Sequence, residues 1–213
     1  MELVSDRVSN PLDLSPPCDR FVPGYGAVDA SFHVVGDHPG VHGGLHAGIP
    51  FTGKAWSDCF FDALTAGGLV ADRDPGQGSL TVPETFLSYI HPCVADETPP
   101  SPASYATMEP FFDAEVRAIT ADVLVPVGAR ATRHVLEEYT AQARRTDLDM
   151  ASLHAREIRG AGWLVLPCRD PSEWTEGDST AFVTALGDLR SRDFRQSADL
   201  GRFFTGDEPY IVR

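Results

Sequence analysis

The sequence predicts an α/β fold, a three-layer α/β/α sandwich around a central, mostly parallel sheet of four strands. Four short apolar segments alternate with helical patterns along the 213 residues, which is the order that a parallel sheet covered on both faces requires. Polar side chains follow each apolar segment directly, as they do where open sheets carry ligand sites. The length fits a single domain over residues 1–213.

Each strand is predicted from a short apolar run bounded by glycine, proline or polar residues. The runs contain aromatic and β-branched side chains and are too short for buried helices. In order along the chain, the four predicted strands are residues 31–35, 85–91, 122–127 and 163–166.

Each helix is predicted from apolar residues three or four positions apart. The first shows this best, because Trp56, Phe60 and Leu64 share one face and a Gly-Gly pair follows. The predicted helices are 54–69, 104–118, 129–139 and 180–192. The remaining segments are an irregular Pro- and Gly-rich arm (1–27), loops (72–79, 92–102 and 167–177), a charged exposed stretch (144–159) and a polar tail after 192.

The composition is strongly acidic. The net charge is −14, from 31 acidic and 17 basic residues, and Lys54 is the single lysine. Such a surface is typical of a protein adapted to concentrated salt, which screens self-repulsion. No segment reaches the ~18 apolar residues of a membrane helix, and we expect no signal peptide. We therefore expect a cytoplasmic monomer that does not bind membranes.

The four cysteines are scattered and form no C-x-x-C pair; they are Cys18, Cys59, Cys93 and Cys168. This spacing supports neither a zinc site nor a disulfide framework. We expect buried or reduced thiols and no bound metal.

The first candidate site follows the first strand, where residues 36–40 read GDHPG. Gly36 and Gly40 allow close backbone approach, and the carboxylate of Asp37 could position a water or stabilise a developing cation. The alternative is a turn in which Asp37 only caps backbone N–H groups.

Three histidines follow at intervals of four, His38, His42 and His46. On a helix this spacing would align metal ligands and allow a metal-dependent hydrolase. The surrounding glycines and prolines make a helix unfavourable, so solvated loop histidines are the preferred interpretation.

Two further candidates are an aromatic residue and a basic segment. Phe51 lies in a Pro/Gly-rich loop, where it could be exposed and stack on a planar ring, or be buried under the next helix. Arg130 and Arg133 lie in the segment 129–133 at a helix start, where backbone N–H groups favour anions.

The last strand runs into Cys168-Arg169-Asp170-Pro171-Ser172-Glu173-Trp174. Here Asp170 could take part in chemistry, Arg169 could bind a phosphate, and Trp174 could wedge into a base stack. The alternative is a loop whose tryptophan packs on the surface.

Taken together, these motifs resemble the uracil-DNA glycosylase superfamily, most closely its family 4. The resemblance spans nearly the whole chain. GDHPG at 36–40 and GIPFTGKA at 48–55 correspond to the family's G-E-A-P-G and G-x-P-F-x-G-x-A. The late A-G-L corresponds to AGGL at 66–69, and the strand-helix motif P-x-V-I-V-x-L-G-x-x-A to residues 122–136. Asp170-Pro171-Ser172 lies where the family has H-P-S.

The resemblance implies hydrolysis of an N-glycosidic bond in DNA that contains a deaminated or damaged base, as in base excision repair, after the nucleotide is flipped out of the helix. Asp37 would act on water or the sugar cation, His38 and Asp170 would contact the leaving base, and Phe51 would stack on it. The resemblance also implies base contacts by Gly36, Gly40, Tyr89 and His91, and DNA contacts by Arg130, Arg133, Arg169, Ser172 and Trp174.

The chain departs from the family pattern at positions that carry chemistry. Ser88-Tyr89 replaces Thr-Asn, and Asp170 replaces the histidine of H-P-S. Cys18 and Cys93 occupy plausible cluster-ligand positions, but the third aligns with Met108, so we predict no iron-sulfur cluster and no other cofactor.

Three hypotheses fit these departures. In the first, the base preference has moved, with Asp170 protonated or accepting a hydrogen bond from an exocyclic amine. In the second, His38 or His91 has taken over stabilisation of the leaving base. Alternatively, the scaffold survives as a catalytically silent nucleic-acid-binding protein.

Overall fold

The structure is a computed structural model that describes residues 8–74, 79–95, 97–140 and 142–195. Its strands are β1 (Tyr25–Gly26), β2 (Phe32–Gly36), β3 (Asp72–Asp74), β4 (Ser79–Thr81), β5 (Thr85–Tyr89), β6 (Val123–Pro126), β7 (Ile158–Gly160) and β8 (Trp163–Val165). Its helices are α1 (Pro39–His42), α2 (Ser57–Ala66), α3 (Pro102–Ile119), α4 (Gly128–Tyr139), α5 (Met150–Leu153) and α6 (Asp178–Arg190), with a short 3-10 helix at Pro171–Glu173.

The main sheet has six strands in the order β1-β5-β2-β6-β8-β7. The four central strands are parallel and correspond to the four predicted segments. The two edge strands are antiparallel to their neighbours. The predicted parallel core is therefore confirmed, inside a wider mixed sheet.

Helices cover both faces of this sheet. On one face, α2 and α6 pack with Phe182 in the buried cluster that contains Val34. On the other face, Phe112 of α3 and Val135 of α4 join the cluster that contains Val35. Adjacent residues of β2 enter opposite clusters because side chains alternate across a strand. The three-layer α/β/α sandwich is confirmed.

Several predicted boundaries need correction. The loop at 72–79 contains β3 and β4, which pair antiparallel; residues 75–78 lie outside the described part. The exposed stretch at 144–159 contains α5 and runs into β7, which joins β8 through Ala161 and Gly162, both at positive φ. Positive φ at both central residues suits a tight hairpin turn.

The segment after β2 also differs from expectation, because residues 39–42 form one helical turn. Pro39 starts α1 with its fixed φ, His38 caps it by accepting from the Gly40 N–H, and the turn ends at Gly43 with φ of 87°. The glycines therefore stop the helix after one turn rather than prevent it.

The prediction of reduced cysteines is wrong for one pair. Cys18 and Cys93 form a disulfide across 75 residues of chain. Backbone pairing brings the two together, because Phe21 bridges Cys93 and the Val22 N–H donates to the Pro92 carbonyl. Spacing alone carries no sign of this contact. Cys59 is free and exposed, and Cys168 is free and buried.

No helix within the described ranges is long and apolar enough to cross a membrane. The single-domain prediction over 1–213 stays a prediction, because residues 1–7 and 196–213, including most of the polar tail, lie outside the described part.

Candidate active site

The polar residues that follow β2, β5, β6 and β8 meet at the carboxyl end of the sheet. The clearest link is a hydrogen bond between His42 Nε2 and Asp170 Oδ2, 3.2 Å apart and 128 residues apart in sequence. Gly128, at the start of α4, lies against the same pair. These contacts define a candidate site around Asp37, His38, His42, Arg130 and Asp170.

Asp37 is held from two helices. The Tyr105 hydroxyl of α3 donates a short hydrogen bond to its Oδ1, and Arg130 Nε of α4 lies 3.4 Å from its Oδ2. The Asp37 side chain is 14% exposed, and that of Arg130 is 47% exposed. The carboxylate is therefore fixed in place yet reachable from solvent. The alternative, in which Asp37 only caps backbone N–H groups, is not what the structure shows.

His42 was interpreted as a solvated loop residue, and this is wrong. It is buried, and its Nδ1 accepts from the Asp37 backbone N–H at 2.9 Å. The proton of the neutral ring is therefore on Nε2, which donates to Asp170. The glycine at position 36 is the feature of the sequence that relates to this packing, because a Cβ there would lie 2.7 Å from His42 Nδ1.

The carboxylate of Asp170 is partly exposed and accepts hydrogen bonds from three groups. Its Oδ1 takes the Ser172 N–H at 2.9 Å and the Ser172 hydroxyl at 2.6 Å, while Oδ2 faces His42. Despite burial, which acts in the opposite direction, the His42 and Ser172 hydrogen bonds lower the pKa of Asp170 to about 2. The hypothesis of a protonated Asp170 is therefore wrong; this side chain is an ionised acceptor near neutral pH.

His38 and His91 differ in their free hydrogen-bonding capacity. His91 is buried, and its Nδ1 donates to the Cys93 carbonyl, 3.1 Å away, so its Nε2 accepts from the Ser104 hydroxyl. The His38 Nδ1 accepts from the Gly40 N–H at 3.1 Å, so its Nε2 carries the proton. That N–H is buried and has no partner among the described residues.

Burial lowers the pKa of both His38 and His91, against the opposing effect of the Asp37 charge. Both rings are therefore neutral near pH 7. Of the two rings, His38 alone has an N–H without a hydrogen-bond partner within the described part of the chain. Gly40 lies directly against that ring, since a Cβ there would be 2.7 Å from His38 Cε1.

Phe51 and Tyr89 form the apolar side of the site. The expectation that Phe51 is exposed is wrong, because its ring is fully buried against His42, Phe60 and Tyr89. Its N–H donates to the Tyr89 hydroxyl at 2.6 Å and its carbonyl accepts from Ser57. A base could stack on Phe51 only after these rings shift.

The expected DNA-contact residues divide into exposed and engaged groups. Arg130 and Arg133 lie on α4, both exposed. Arg169 is paired with Glu173 and Asp178 at 3.7 and 3.4 Å. Ser172 is exposed but bonded to Asp170.

Trp174 is not placed as a wedge. Its Nε1 donates to the Arg169 carbonyl at 2.9 Å, and its ring packs against Phe60 and Phe182. The surface-packing alternative is the observed one, because the apolar neighbours on α2 and α6 bury one side of the indole.

The residues present do not fit a metal or an iron-sulfur cluster. His38 and His42 are buried and bonded as described, whereas His46 is exposed. In the described ranges no group of three histidine, cysteine or acidic side chains could hold a metal. Cys18 is bonded to Cys93, and the third ligand position is Met108, whose sulfur lies 3.3 Å from Cys93 Sγ. Four thiolates do not meet there.

The remaining arrangement combines an oriented carboxylate, an unpartnered neutral N–H donor and an exposed cation. A carboxylate can orient water and stabilise positive charge on a sugar, and the donor can stabilise a departing anion. Hydrolysis of a glycosidic bond would use both of these functions.

The chain is similar to one protein-family model and to curated relatives. A family model described as the uracil DNA glycosylase superfamily matches residues 23–190, which run from before β1 to the end of α6. A type-5 uracil-DNA glycosylase of Mycobacterium leprae is 29% identical over 163 residues, covering 74% of this chain and 70% of that protein. A type-5 uracil-DNA glycosylase of Pyrobaculum aerophilum is 27% identical over 187 residues, covering 85% and 77%.

Both relatives carry the type-5 name, so the closer resemblance to family 4 stays a prediction. The match of the family model is broader than this distinction, since it includes the four parallel strands and every residue of the candidate site. The chain belongs to the uracil DNA glycosylase superfamily.

Proposed function

We propose that the protein is a DNA glycosylase that hydrolyses the N-glycosidic bond of uracil or another deaminated base in DNA. The observation that carries the proposal is Asp37, a carboxylate fixed by Tyr105 and Arg130 at the carboxyl end of β2. His38 follows Asp37 directly in the chain, and its buried N–H has no partner among the described residues.

Asp37 has the role of orienting the attacking water and stabilising the cationic sugar. Its Oδ1 is taken by Tyr105, while Oδ2 meets Arg130 at the longer distance of 3.4 Å. A DNA phosphate would compete with Asp37 for the exposed Arg130 guanidinium, since arginine binds phosphate in a two-pronged geometry. Binding of DNA would then release Oδ2 for the water.

His38 has the role of donating to the leaving base. A neutral imidazole N–H in a dry pocket stabilises a developing anion without the cost of burying a charge. Asp170 cannot do this because it is ionised and would repel the anion. Its carboxylate orients His42 instead. It could also accept a hydrogen bond from an exocyclic amine of a base.

Arg130 and Arg133 are the proposed DNA-backbone contacts. They are exposed on α4, beside the candidate site, in a protein with a net charge of −14. The two arginines therefore form a local basic strip on an acidic protein. Each phosphate contact that they make should weaken as salt rises.

The test is release of labelled base from oligonucleotides that carry uracil, hypoxanthine or xanthine, in high-salt buffer. Asp37→Asn is expected to lower the rate by about 10²–10⁴-fold, the range for loss of a positioned general base. Asp113→Asn is a matched control, because Asp113 also contacts a tyrosine and an arginine, Tyr139 and Arg117, but away from the site.

Equal rates for the two variants would refute the role of Asp37. No release by the wild-type protein, with DNA binding retained, would favour the second hypothesis, a catalytically silent nucleic-acid-binding protein. That hypothesis is favoured by one observation, the presence of an ionised Asp170 where the family has a histidine.

A further inference from the structure

Tyr105 lies outside the motifs on which the family resemblance rests, yet its hydroxyl contacts the carboxylate of the candidate site. It lies in the first turns of α3, 68 residues from Asp37, and donates to Asp37 Oδ1. Burial and the nearby Asp37 charge raise the pKa of Tyr105 far above its usual value. The hydroxyl is therefore protonated, and able to donate, near neutral pH.

The ring of Tyr105 is itself held from two sides. The His91 ring packs edge-on against it with 5.1 Å between centroids. The Arg130 guanidinium carbon lies 4.6 Å from the ring centroid on a cation-π contact. An aromatic ring fixed in this way presents its hydroxyl in one direction, so Asp37 Oδ1 has little freedom to rotate.

We propose that Tyr105 is a positioning residue for Asp37, which holds one carboxylate oxygen so that the other is aimed at the attacking water. This proposal rests on the proposed glycosylase function. Without the hydroxyl, the carboxylate could rotate toward Arg130 and accept both of its contacts from the guanidinium.

The chain contains a second cluster of the same composition, which supplies the control. The Tyr139 hydroxyl lies 3.4 Å from Asp113 Oδ1, and Arg117 Nε lies 2.7 Å from Asp113 Oδ2. This cluster joins α3 to α4 outside the candidate site. Tyr139→Phe therefore removes a comparable hydroxyl without touching Asp37.

The experiment compares Tyr105→Phe with Tyr139→Phe in single-turnover release of uracil. Tyr105→Phe keeps the ring and its contact with Arg130, so the protein concentration at half-maximal rate should not change. The maximal rate should fall about ten- to hundredfold, the size expected for a hydrogen bond to a charged group. Tyr139→Phe should leave both values unchanged.

The pH profile gives a readout that a purely structural role would not move. Loss of a donor to the charged carboxylate favours its protonation, so the acidic limb of the rate should move to higher pH in Tyr105→Phe. The other ionisable groups that face Asp37 are Arg130 on α4, His38 and His42 on its own loop, and His91 after β5. All four are retained in the variant.

A second measurement keeps the inference testable if no base is released. Carbon-13 NMR can follow the titration of the Asp37 side-chain carboxyl in the wild-type protein and in Tyr105→Phe. A shift of that titration to higher pH supports the positioning contact. An unshifted titration, or equal maximal rates in the two tyrosine variants, would overturn the inference, whereas an inactive wild-type protein with a shifted titration would overturn only the proposed function.

Discussion

At the scale of single residues, backbone contacts decide which histidine can act on a substrate. Backbone or side-chain partners occupy both ring nitrogens of His42 and of His91. His38 uses Nδ1 to cap α1 and keeps its Nε2–H unpartnered within the described residues. Of the three, His38 alone combines burial with a free donor, which makes it the expected contact of the leaving base.

Replacement of His38 by asparagine tests this role. An asparagine side chain can still accept from the Gly40 N–H as a helix cap, but it lacks the donor at Nε2. We expect base release to fall by about 10²-fold or more, as when one donor to a developing anion is removed. Release of 5-fluorouracil should fall less than release of uracil, because the better leaving group needs less stabilisation.

His134 provides the matched control for this experiment. Its Nε2 is also buried and has no partner in the described part of the chain, and burial lowers its pKa. The ring packs against Phe112 and Tyr139 on the α3–α4 side, away from the candidate site. His134→Asn should release base at the wild-type rate. Equal losses in both variants, or equal sensitivity to the leaving group, would argue against donation by His38.

Because the pKa of His38 is lowered, the wild-type rate should not rise as pH falls from 8 to 6.

The sequence predicts the carboxylate of the candidate site but not its partners. Asp37 is recognisable because it follows an apolar strand inside a glycine-rich motif. Tyr105 and Arg130 come from two helices, and no local pattern relates them to Asp37. The pairing of His42 with Asp170 spans 128 residues, so it too depends on the assembled sheet.

At the scale of elements, the sequence predicts the four central strands because each is a buried apolar run. The edge strands were missed for a physical reason. β1 has two residues and β7 has three, which is too short for any apolar alternation to be visible. Each pairs with a longer-range or adjacent strand of the assembled sheet, β1 with β5 and β7 with β8.

The disulfide adds a covalent link to the backbone pairing between the N-terminal arm and the segment after β5. Closing a loop of 75 residues restricts the unfolded chain, and such a disulfide typically contributes about 2–4 kcal/mol. Reduction should lower the free energy of unfolding by that amount in urea titrations followed by circular dichroism. Cys59→Ser removes a free, exposed thiol and should have no effect. Identical titration curves with and without reductant would mean that the bond does not form in solution.

At the scale of the whole molecule, the net charge of −14 opposes both compaction and DNA binding. Salt screens the repulsion that opposes compaction, but it also weakens the binding of DNA phosphates. The sequence reveals this conflict but not its resolution, because the exposed positions of Arg130 and Arg133 follow from the packing of α4 on the sheet. The buried ionisable groups, by contrast, are visible only in the structure.

Glu115 of α3 and His33 of β2 are such buried groups. His33 Nε2 lies 3.7 Å from Glu115 Oε1 and 2.8 Å from the Ser88 hydroxyl. Burial raises the pKa of Glu115 to about 8 and lowers that of His33 to about 3. Both side chains are therefore neutral in the folded protein near pH 6.

These shifts predict how stability depends on pH. Between the usual glutamate value and pH 8, the folded protein binds a proton at Glu115 that the unfolded chain has lost, so stability falls as pH rises. Below about pH 6.5 the unfolded chain protonates His33 while the folded protein does not, which lowers stability as pH falls, and His38, His91 and His134, whose pKa burial also lowers, act in the same direction. The contribution of Glu115 alone from pH 6.5 to 8 is a loss of about 2 kcal/mol, since one pKa unit corresponds to about 1.4 kcal/mol. In urea titrations, the free energy of unfolding of the wild-type protein relative to that of Glu115→Gln should therefore fall by this amount over that range, while the difference between wild type and Glu109→Gln, on the exposed side of the same helix, should stay constant. A constant difference for Glu115→Gln would show that this carboxyl does not couple folding to pH.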